Sequence, residues 1–186
     1  SLSAFEGCTS LSSITIPSSV TTIGASAFSG SGLKSIIISA SVTSIGVNAF
    51  YMNSSLTTVT YKEDSSLSSI GYQAFTASGL TSITIPESVT SIAEYAFSNC
   101  TSLTKVIFEA GTSLSSIGSG VFAQCTALHT VAFTSSTIPS AISSSTFPPI
   151  SQGITAYYTQ SSLSQTDIDT LKSIFGDENV KYNQVI

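Results

Sequence analysis

The sequence contains no arginine and only five lysines, set against ten acidic residues in a chain of 186. At a net charge of −5 no basic patch can form, so neither nucleic acid nor an anionic membrane surface is an expected partner. Charge of either sign is scarce, at 8%, while hydrophobic residues reach 41%. A disordered chain has the opposite balance. No apolar run approaches the ~18 residues of a membrane-crossing helix, so membrane insertion is not expected. The opening residues, SLSAFEGC, carry neither a basic start nor an apolar stretch of the kind that directs secretion. They begin in the middle of a repeat, so further repeats or a cap are expected upstream in a parent protein. Three cysteines are too few for a disulfide framework.

What is present is repetition. A phenylalanine recurs at Phe5, Phe28, Phe50, Phe75, Phe97, Phe122 and Phe147, in steps of 23, 22, 25, 22, 25 and 25 residues. After each of the first six comes a leucine (Leu11, Leu33, Leu56, Leu80, Leu103, Leu128). A branched residue follows three positions on, and another apolar residue two beyond that: Ile14 and Ile16, Ile36 and Ile38, Val59 and Tyr61, Ile83 and Ile85, Val106 and Phe108, Val131 and Phe133. A later V-x-x-I segment completes the unit, as in Val20 and Ile23 or Val89 and Ile92. Seven apolar columns held in register over almost 150 residues define a repeat architecture.

The L-x-x-I-x-I segment ends with period two, the pattern of a short strand with alternate side chains inward. Pro17 and Pro86 stop two of these strands. The V-x-x-I-G segment reads as a second short extended piece or turn. Its glycine (Gly24, Gly46, Gly71, Gly118) suits positive φ or close backbone approach. The A-F piece is too short for an α-helix and reads as a helical or 3₁₀ turn. One unit cannot bury its own apolar side, but stacked units bury a continuous core with strands ~4.8 Å apart. Three residues after each Phe stand Cys8, Ser31, Asn53, Ser78, Cys100 and Cys125, a column expected to be buried and to satisfy turn backbone by hydrogen bonding. Cys100 and Cys125 fall in adjacent turns, near enough to pair. The Ser and Asn of other turns favour free thiols.

Phrases such as AFEGCTSLSSITIPSSVTTIG, AFTASGLTSITIPESVTSI and AFSNCTSLTKVIFE resemble the BspA-like, or treponemal-type, leucine-rich repeats over about residues 1–150. The resemblance implies a right-handed, curved leucine-rich repeat solenoid, with a parallel sheet on its concave face. It implies a secreted or surface-anchored bacterial protein that adheres to host or cell-surface proteins. The family has no shared catalytic residues, so none is carried over.

Residues 151–186 are read as a capping strand and helix of the same domain, with Ile154, Ala156 and Tyr158 keeping the strand alternation. Thr166 and Asp169 have capping-box spacing. Ile168, Leu171 and Ile174 or Phe175 make one apolar helical face, and Gly176 stops it.

Chemistry finds little support. His129 is the single histidine and has no acidic neighbour or nucleophile elbow. Asp167 and Asp169 are placed to serve the helix dipole. No catalytic residue, metal or cofactor is expected. The outward strand positions are Ser13, Thr15, Ser35, Ile37, Thr58, Thr60, Ser82, Thr84, Lys105, Ile107, Thr130 and Ala132. They form the candidate face for a protein partner, and Ile37, Ile107 and Ala132 break its hydroxyl rows. Two loops are two residues longer than the rest and bring Lys62, Glu63, Asp64 and Glu109 to one rim, ~10 Å apart by strand spacing. Solvated length variation is the preferred reading of these loops, with calcium on Glu63, Asp64 and Glu109 the sharper alternative. The expected function is a non-catalytic interaction module. The alternative is a spacer segment of a larger repeat protein.

Overall fold

Both extended segments of the repeat become strands. The computed structural model describes residues 2–111, 114–134, 138–148, 153–158 and 163–182. The V-x-x-I segments give two-residue strands β1 (Thr22–Ile23), β3 (Ser44–Ile45), β5 (Ser69–Ile70), β7 (Ser91–Ile92) and β9 (Ser116–Ile117), stacked as one parallel sheet. The L-x-x-I-x-I segments give β2 (Ser35–Ile38), β4 (Thr58–Tyr61), β6 (Ser82–Ile85), β8 (Lys105–Phe108) and β10 (Thr130–Phe133). Within each ladder column meets column, as where Val106 faces Val131 and Phe108 faces Phe133. The chain is thus a parallel-strand solenoid of about six turns. Its core is the set of inward columns, fully buried in the middle turns: Leu56, Leu67, Phe75, Leu80, Ile85 and Val89 each show no exposed area.

The phenylalanine column is an aromatic stack. From Phe5 to Phe147 successive ring centroids lie 4.9 to 5.5 Å apart and interplanar angles stay between 3° and 12°. Near-parallel rings at such distances are offset-stacked. Phe108 and Phe133 begin a second stack inside the main sheet, 5.2 Å apart.

The A-F corner departs from the expected helical or 3₁₀ turn. It consists of successive hydrogen-bonded turns in which alternate amides close locally (Ala27 N to Gly24 O, Ser29 N to Ser26 O) and alternate amides reach the next turn of the solenoid (Phe28 N to Ala49 O, 2.8 Å). This alternation needs two left-handed residues per turn, placed two before and two after the Phe. The first set is Ser3, Ser26, Asn48, Gln73, Tyr95 and Gly120; the second is Gly7, Gly30, Met52, Ala77, Asn99 and Gln124. A helix would consume all its amides internally and leave the turns unjoined at this corner.

The glycines after Ile serve close approach. Gly46, Gly71 and Gly118 have no positive φ, but a β-carbon on them would lie 2.8, 2.7 and 2.3 Å from backbone atoms of the preceding turn. Two other glycines mark shortened corners. Where other turns have two residues between the Cys/Asn column and Leu, turns two and four have only Gly32 and Gly79. Their amides bond back to Cys8 O and Asn53 O in the preceding turn, both at 3.1 Å.

These short corners coincide with breaks in the main sheet. β2 pairs only with β4, while β6, β8 and β10 form a separate ladder. Residues 13–16, before Pro17, are not assigned as a strand at all. At the break between β4 and β6 there is a second cause. Lys62 N, Glu109 N and Thr134 N each donate to the end of the strand in the preceding turn. The corresponding residue after β6 is Pro86, which has no amide hydrogen to offer Tyr61 O.

The Cys/Asn column is buried from Ser31 onward, but only its Asn and Cys members reach turn carbonyls, while Ser31 donates to Asn53 Oδ1 at 3.0 Å and Ser78 pairs with Cys100 Sγ at 3.2 Å. Asn53 Nδ2 donates to Phe28 O at 2.8 Å, and the thiols of Cys100 and Cys125 donate to Phe75 O and Phe97 O at 3.2 and 3.1 Å. All three cysteines are free. The hydrogen bond to Cys100, and then burial, hold the Cys125 thiol far above its usual range, so it remains a donor. Cys8 is the exception in the column, being exposed in the first turn. A thiol reagent added to native protein is therefore expected to titrate one cysteine promptly and all three after denaturation. Prompt reaction of all three would refute the buried ladder.

At the C-terminal end, β11 (Thr155–Tyr158) joins β10, and β12 (Val180–Tyr182) extends the sheet by one further parallel strand. Helix α1 (Gln165–Phe175) buries Leu171, Ile174 and Phe175, and the Phe175 ring meets Phe147 at 5.0 Å. Its cap lies two residues ahead of the expected one. Ser164 Oγ accepts from Asp167 N at 3.1 Å and donates to the Asp167 carboxylate at 2.8 Å. Asp169 is instead bound by Gln165 Nε2 at 2.8 Å, a first-turn pair that exists only if the helix starts at Gln165. Gly176 ends the helix at φ 88°. The boundary expected at residue 150 lies outside the described residues.

Candidate functional site

Serine and threonine serve two purposes in this chain. At the entry to several strands, hydroxyls fasten a turn to the carbonyl of the turn before. Thr43 donates to Thr21 O, Ser68 to Thr43 O and Thr90 to Ser68 O, at 2.9 to 3.1 Å. Thr104 donates to Thr81 O at 2.9 Å, and Ser41 and Ser88 to Val20 O and Leu67 O at 2.7 and 2.8 Å. These hydroxyls are structural staples.

The outward face of the main sheet differs. Ser13, Thr15, Ser35, Thr60, Ser82 and Thr84 make no side-chain hydrogen bond among the described residues. The face presents two outward positions per turn, against one on the small sheet. Exposure along it drops after Ser82. Ser13, Thr15, Ser35, Ile37, Thr58, Thr60 and Ser82 are exposed, with Ile37 at 52%. Thr84, Lys105, Ile107 and Thr130 are half-buried. Ala132 has no accessible area and leaves the candidate set, because its small side chain is flanked in the sheet by the larger Ile107 and Tyr157. His129, beside this face, pairs its Nδ1 with Thr130 Oγ1 at 2.9 Å.

The four rim residues meet in one place. Lys62, Glu63, Asp64 and Glu109 line a single open groove of about 370 Å³, together with Thr60, Tyr61, Thr84, Pro86 and Glu87. The groove occupies the break between β4 and β6. Among the described residues no group of three or more acidic, His or Cys side chains is arranged to hold a metal ion. Glu87 and Tyr61 are the lining residues that sequence reasoning passed over. Tyr61 had a signal, since it is the one polar-tipped side chain among the first six members of its column, between Ile38 and Ile85.

Tyr61 is also under strain of a chemical kind. Two buried side-chain polar atoms lack a partner among the described residues, Asn48 Oδ1 and the Tyr61 hydroxyl. Asn48 sits in a left-handed position where Asn is favoured. Tyr61 has no such backbone reason. Burial, and secondarily the charge of Glu109, hold its phenol far above the ordinary value, so it stays protonated as a donor without an acceptor. A buried unsatisfied polar group costs about 1–3 kcal/mol. Tyr61→Phe is therefore expected to raise the unfolding free energy by about 1 kcal/mol or more, measured by urea denaturation. A loss of stability would mean that the hydroxyl has a partner.

The repeat geometry is decided by a family match. The model of the BspA-type leucine-rich repeat region matches in six copies, over residues 1–78 and 63–174. The chain belongs to the BspA-type leucine-rich repeat family. Among solved structures, the leucine-rich repeat protein of Treponema pallidum aligns with a TM-score of 0.64 at 20% identity, covering 92% of this chain and 85% of that one. A leucine-rich repeat protein of Bacteroides ovatus aligns at 17% identity and a TM-score of 0.35, covering 98% and 74%. The pneumococcal vaccine antigen PcpA aligns at 15% and 0.33, covering 94% and 80%. A search of curated proteins gave no match. The treponemal structure shares the fold with this BspA-type chain. No helix among the described residues is long and apolar enough to cross a membrane.

Proposed function

We propose that this BspA-type chain is a non-catalytic interaction module of a secreted or surface bacterial protein, binding a protein partner through the outward face of its main sheet. The observation that carries this reading is the division of labour among hydroxyls. Those at the strand entries are spent on neighbouring carbonyls, while Ser13, Thr15, Ser35, Thr60, Ser82 and Thr84 on the main face remain unpaired among the described residues, beside an exposed Ile37. Unspent donors and acceptors on a rigid sheet are what a polar, shape-matched contact uses. A reaction centre would need titratable groups gathered at an accessible cleft. The strongly shifted groups here, Tyr61, Cys100 and Cys125, belong to the packed interior.

The test is a binding screen of the purified chain against extracellular-matrix and plasma proteins, repeated with Ile37→Arg and Thr58→Arg together. A saturable hit abolished by this pair supports the reading. Binding indifferent to it moves the interface elsewhere. The alternative reading is a spacer segment of a larger repeat protein. A spacer tolerates the face substitutions with function intact.

A further inference from the structure

All three cysteines of the chain stand in one column, three residues after the phenylalanine, and two of them occupy consecutive turns. Cys100 and Cys125 hold equivalent positions in the fifth and sixth turns, while Cys8 lies far off in the first. The backbones beside the pair are tied together: Phe97 N donates to Val121 O at 2.9 Å and Asn99 N to Ala123 O at 2.7 Å. Turns stacked at ~4.8 Å bring equivalent Cα atoms inside the range of about 4.4–6.8 Å that disulfides occupy. The two thiols are also hydrogen-bonded neighbours, in a buried chain that begins at Ser78, whose Oγ is 3.2 Å from Cys100 Sγ. Neither cysteine has accessible area.

The packing role of the column does not require two adjacent thiols. Asn53 bonds a turn carbonyl there without sulfur, and Ser31 and Ser78 fill the same site as buried side chains. The joint that the pair spans also leads to a looser end of the core. Ile92 and Phe97 keep 1% and 0% of their area exposed, whereas Ile142 and Phe147, in the same columns beyond Cys125, keep 6% and 7%. Each turn of a repeat array touches only its neighbours, so fraying passes along it one joint at a time. A covalent bond across one joint stops it there.

We infer that Cys100 and Cys125 form a redox latch, closing in an oxidising medium to a disulfide that staples the fifth turn to the sixth and reopening on reduction. The oxidant is a low-molecular-weight disulfide such as oxidised glutathione. The hydrogen bond from Cys125, against the opposing effect of burial, holds the Cys100 thiol below its usual range and makes Cys100 the first nucleophile. Its thiolate attacks one sulfur of the oxidant, breaks the S–S bond and releases one glutathione thiol. The Cys125 thiolate then attacks Cys100 Sγ in the mixed disulfide and releases the second. The protein gives up two electrons and two protons, and the oxidant leaves as two thiols. Both steps proceed from transient openings of the corner, because the closed corner leaves no accessible area for a glutathionyl group.

The experiment incubates the reduced full chain with oxidised glutathione, in native buffer and in sub-denaturing urea, then blocks free thiols and digests with trypsin. The lysines separate the three cysteines: Cys8 falls in residues 1–34, Cys100 in 63–105 and Cys125 in 106–172. The expected product is a covalent pair of the 63–105 and 106–172 peptides, lighter than the two together by two hydrogens. It should revert with reductant, and Cys8 should be recovered as a glutathione adduct. The latched chain should show a folded-to-unfolded ratio at least about tenfold above that of the reduced chain, read by urea denaturation. Cys8→Ser should leave both results intact. Cys100→Ser puts in the column the residue that Ser78 already shows to fit there, so it should fold normally and lose both. Separate glutathione adducts on Cys100 and Cys125, or a cross-link through Cys8, would overturn the inference. So would thiols that stay free in sub-denaturing urea, pairing confined to the fully unfolded chain, or a cross-linked chain less stable than the reduced one.

Discussion

Phe75→Ala is expected to lower the unfolding free energy by about 3–5 kcal/mol, the usual cost of emptying a buried phenylalanine site. Phe75 has no accessible area and is sandwiched between Phe50 at 4.9 Å and Phe97 at 5.1 Å, with planes within 6° of both. Removing it leaves two ring faces without contact, not one. The backbone around it is tied on both sides, Phe75 N to Ala96 O and Phe50 N to Ala74 O, so the cavity cannot easily collapse. Phe5, half-buried at the start of the stack with one ring neighbour, is the internal comparison. Phe5→Ala should cost about half as much or less. Because each turn touches only its neighbours, a break at Phe75 divides the array and should also lower the denaturant m-value. Urea unfolding followed by circular dichroism reads both quantities. Equal losses at Phe5 and Phe75 would show that the stack is not a cooperative column.

Much of this fold is legible in one dimension because an inward side chain repeats once per turn. The Phe, Leu and Ile columns, the two extended segments per unit and the buried Cys/Asn site all follow from spacing. The corners are legible only in part. Left-handed positions two before and two after each Phe are filled by Ser, Asn, Gln, Tyr, Met and Ala as well as Gly, so no composition signal marks them. The turn-to-turn hydrogen bonds overrule local preference there. Helix α1 could begin at either of two Ser/Thr-x-x-Asp spacings, and the choice of Ser164 depends on the Gln165–Asp169 pair. For the site, the rim loops were identifiable by length. The groove they form was not, because Glu87 and Tyr61 enter it through the break between β4 and β6, a relation between turns. The traces of that break are present in the sequence as Gly79 and Pro86, and they are read correctly only once the turns are stacked.

Gly79 carries the second large effect. Its φ is not left-handed, so an alanine there meets no backbone penalty of its own. The obstacle is space: a β-carbon would lie 2.2 Å from the Ser54 carbonyl oxygen and 3.0 Å from its carbon. Backbone atoms cannot rotate away as a side chain can, so Gly79→Ala must push turns three and four apart. The expected loss is about 3 kcal/mol, at the upper end of overpacking costs. A compensating change locates the cause. Turn five spans the same corner with Cys100, Thr101 and Ser102, one residue more, and β8 pairs fully with β6. Replacing Ser78-Gly79 by Cys-Thr-Ser should therefore tolerate the β-carbons, restore stability and let β6 pair with β4. Newly protected amides in β6 under hydrogen exchange would report that pairing, and the groove would close together with the break. If the lengthened variant is stable but the β6 amides stay unprotected, the break belongs to Pro86 and the 62–65 loop. In that case the short corner is an accommodation to it. If Gly79→Ala is neutral, the close approach at Ser54 is not a constraint, and the steps of 22 and 25 residues between phenylalanines have no role in opening the sheet.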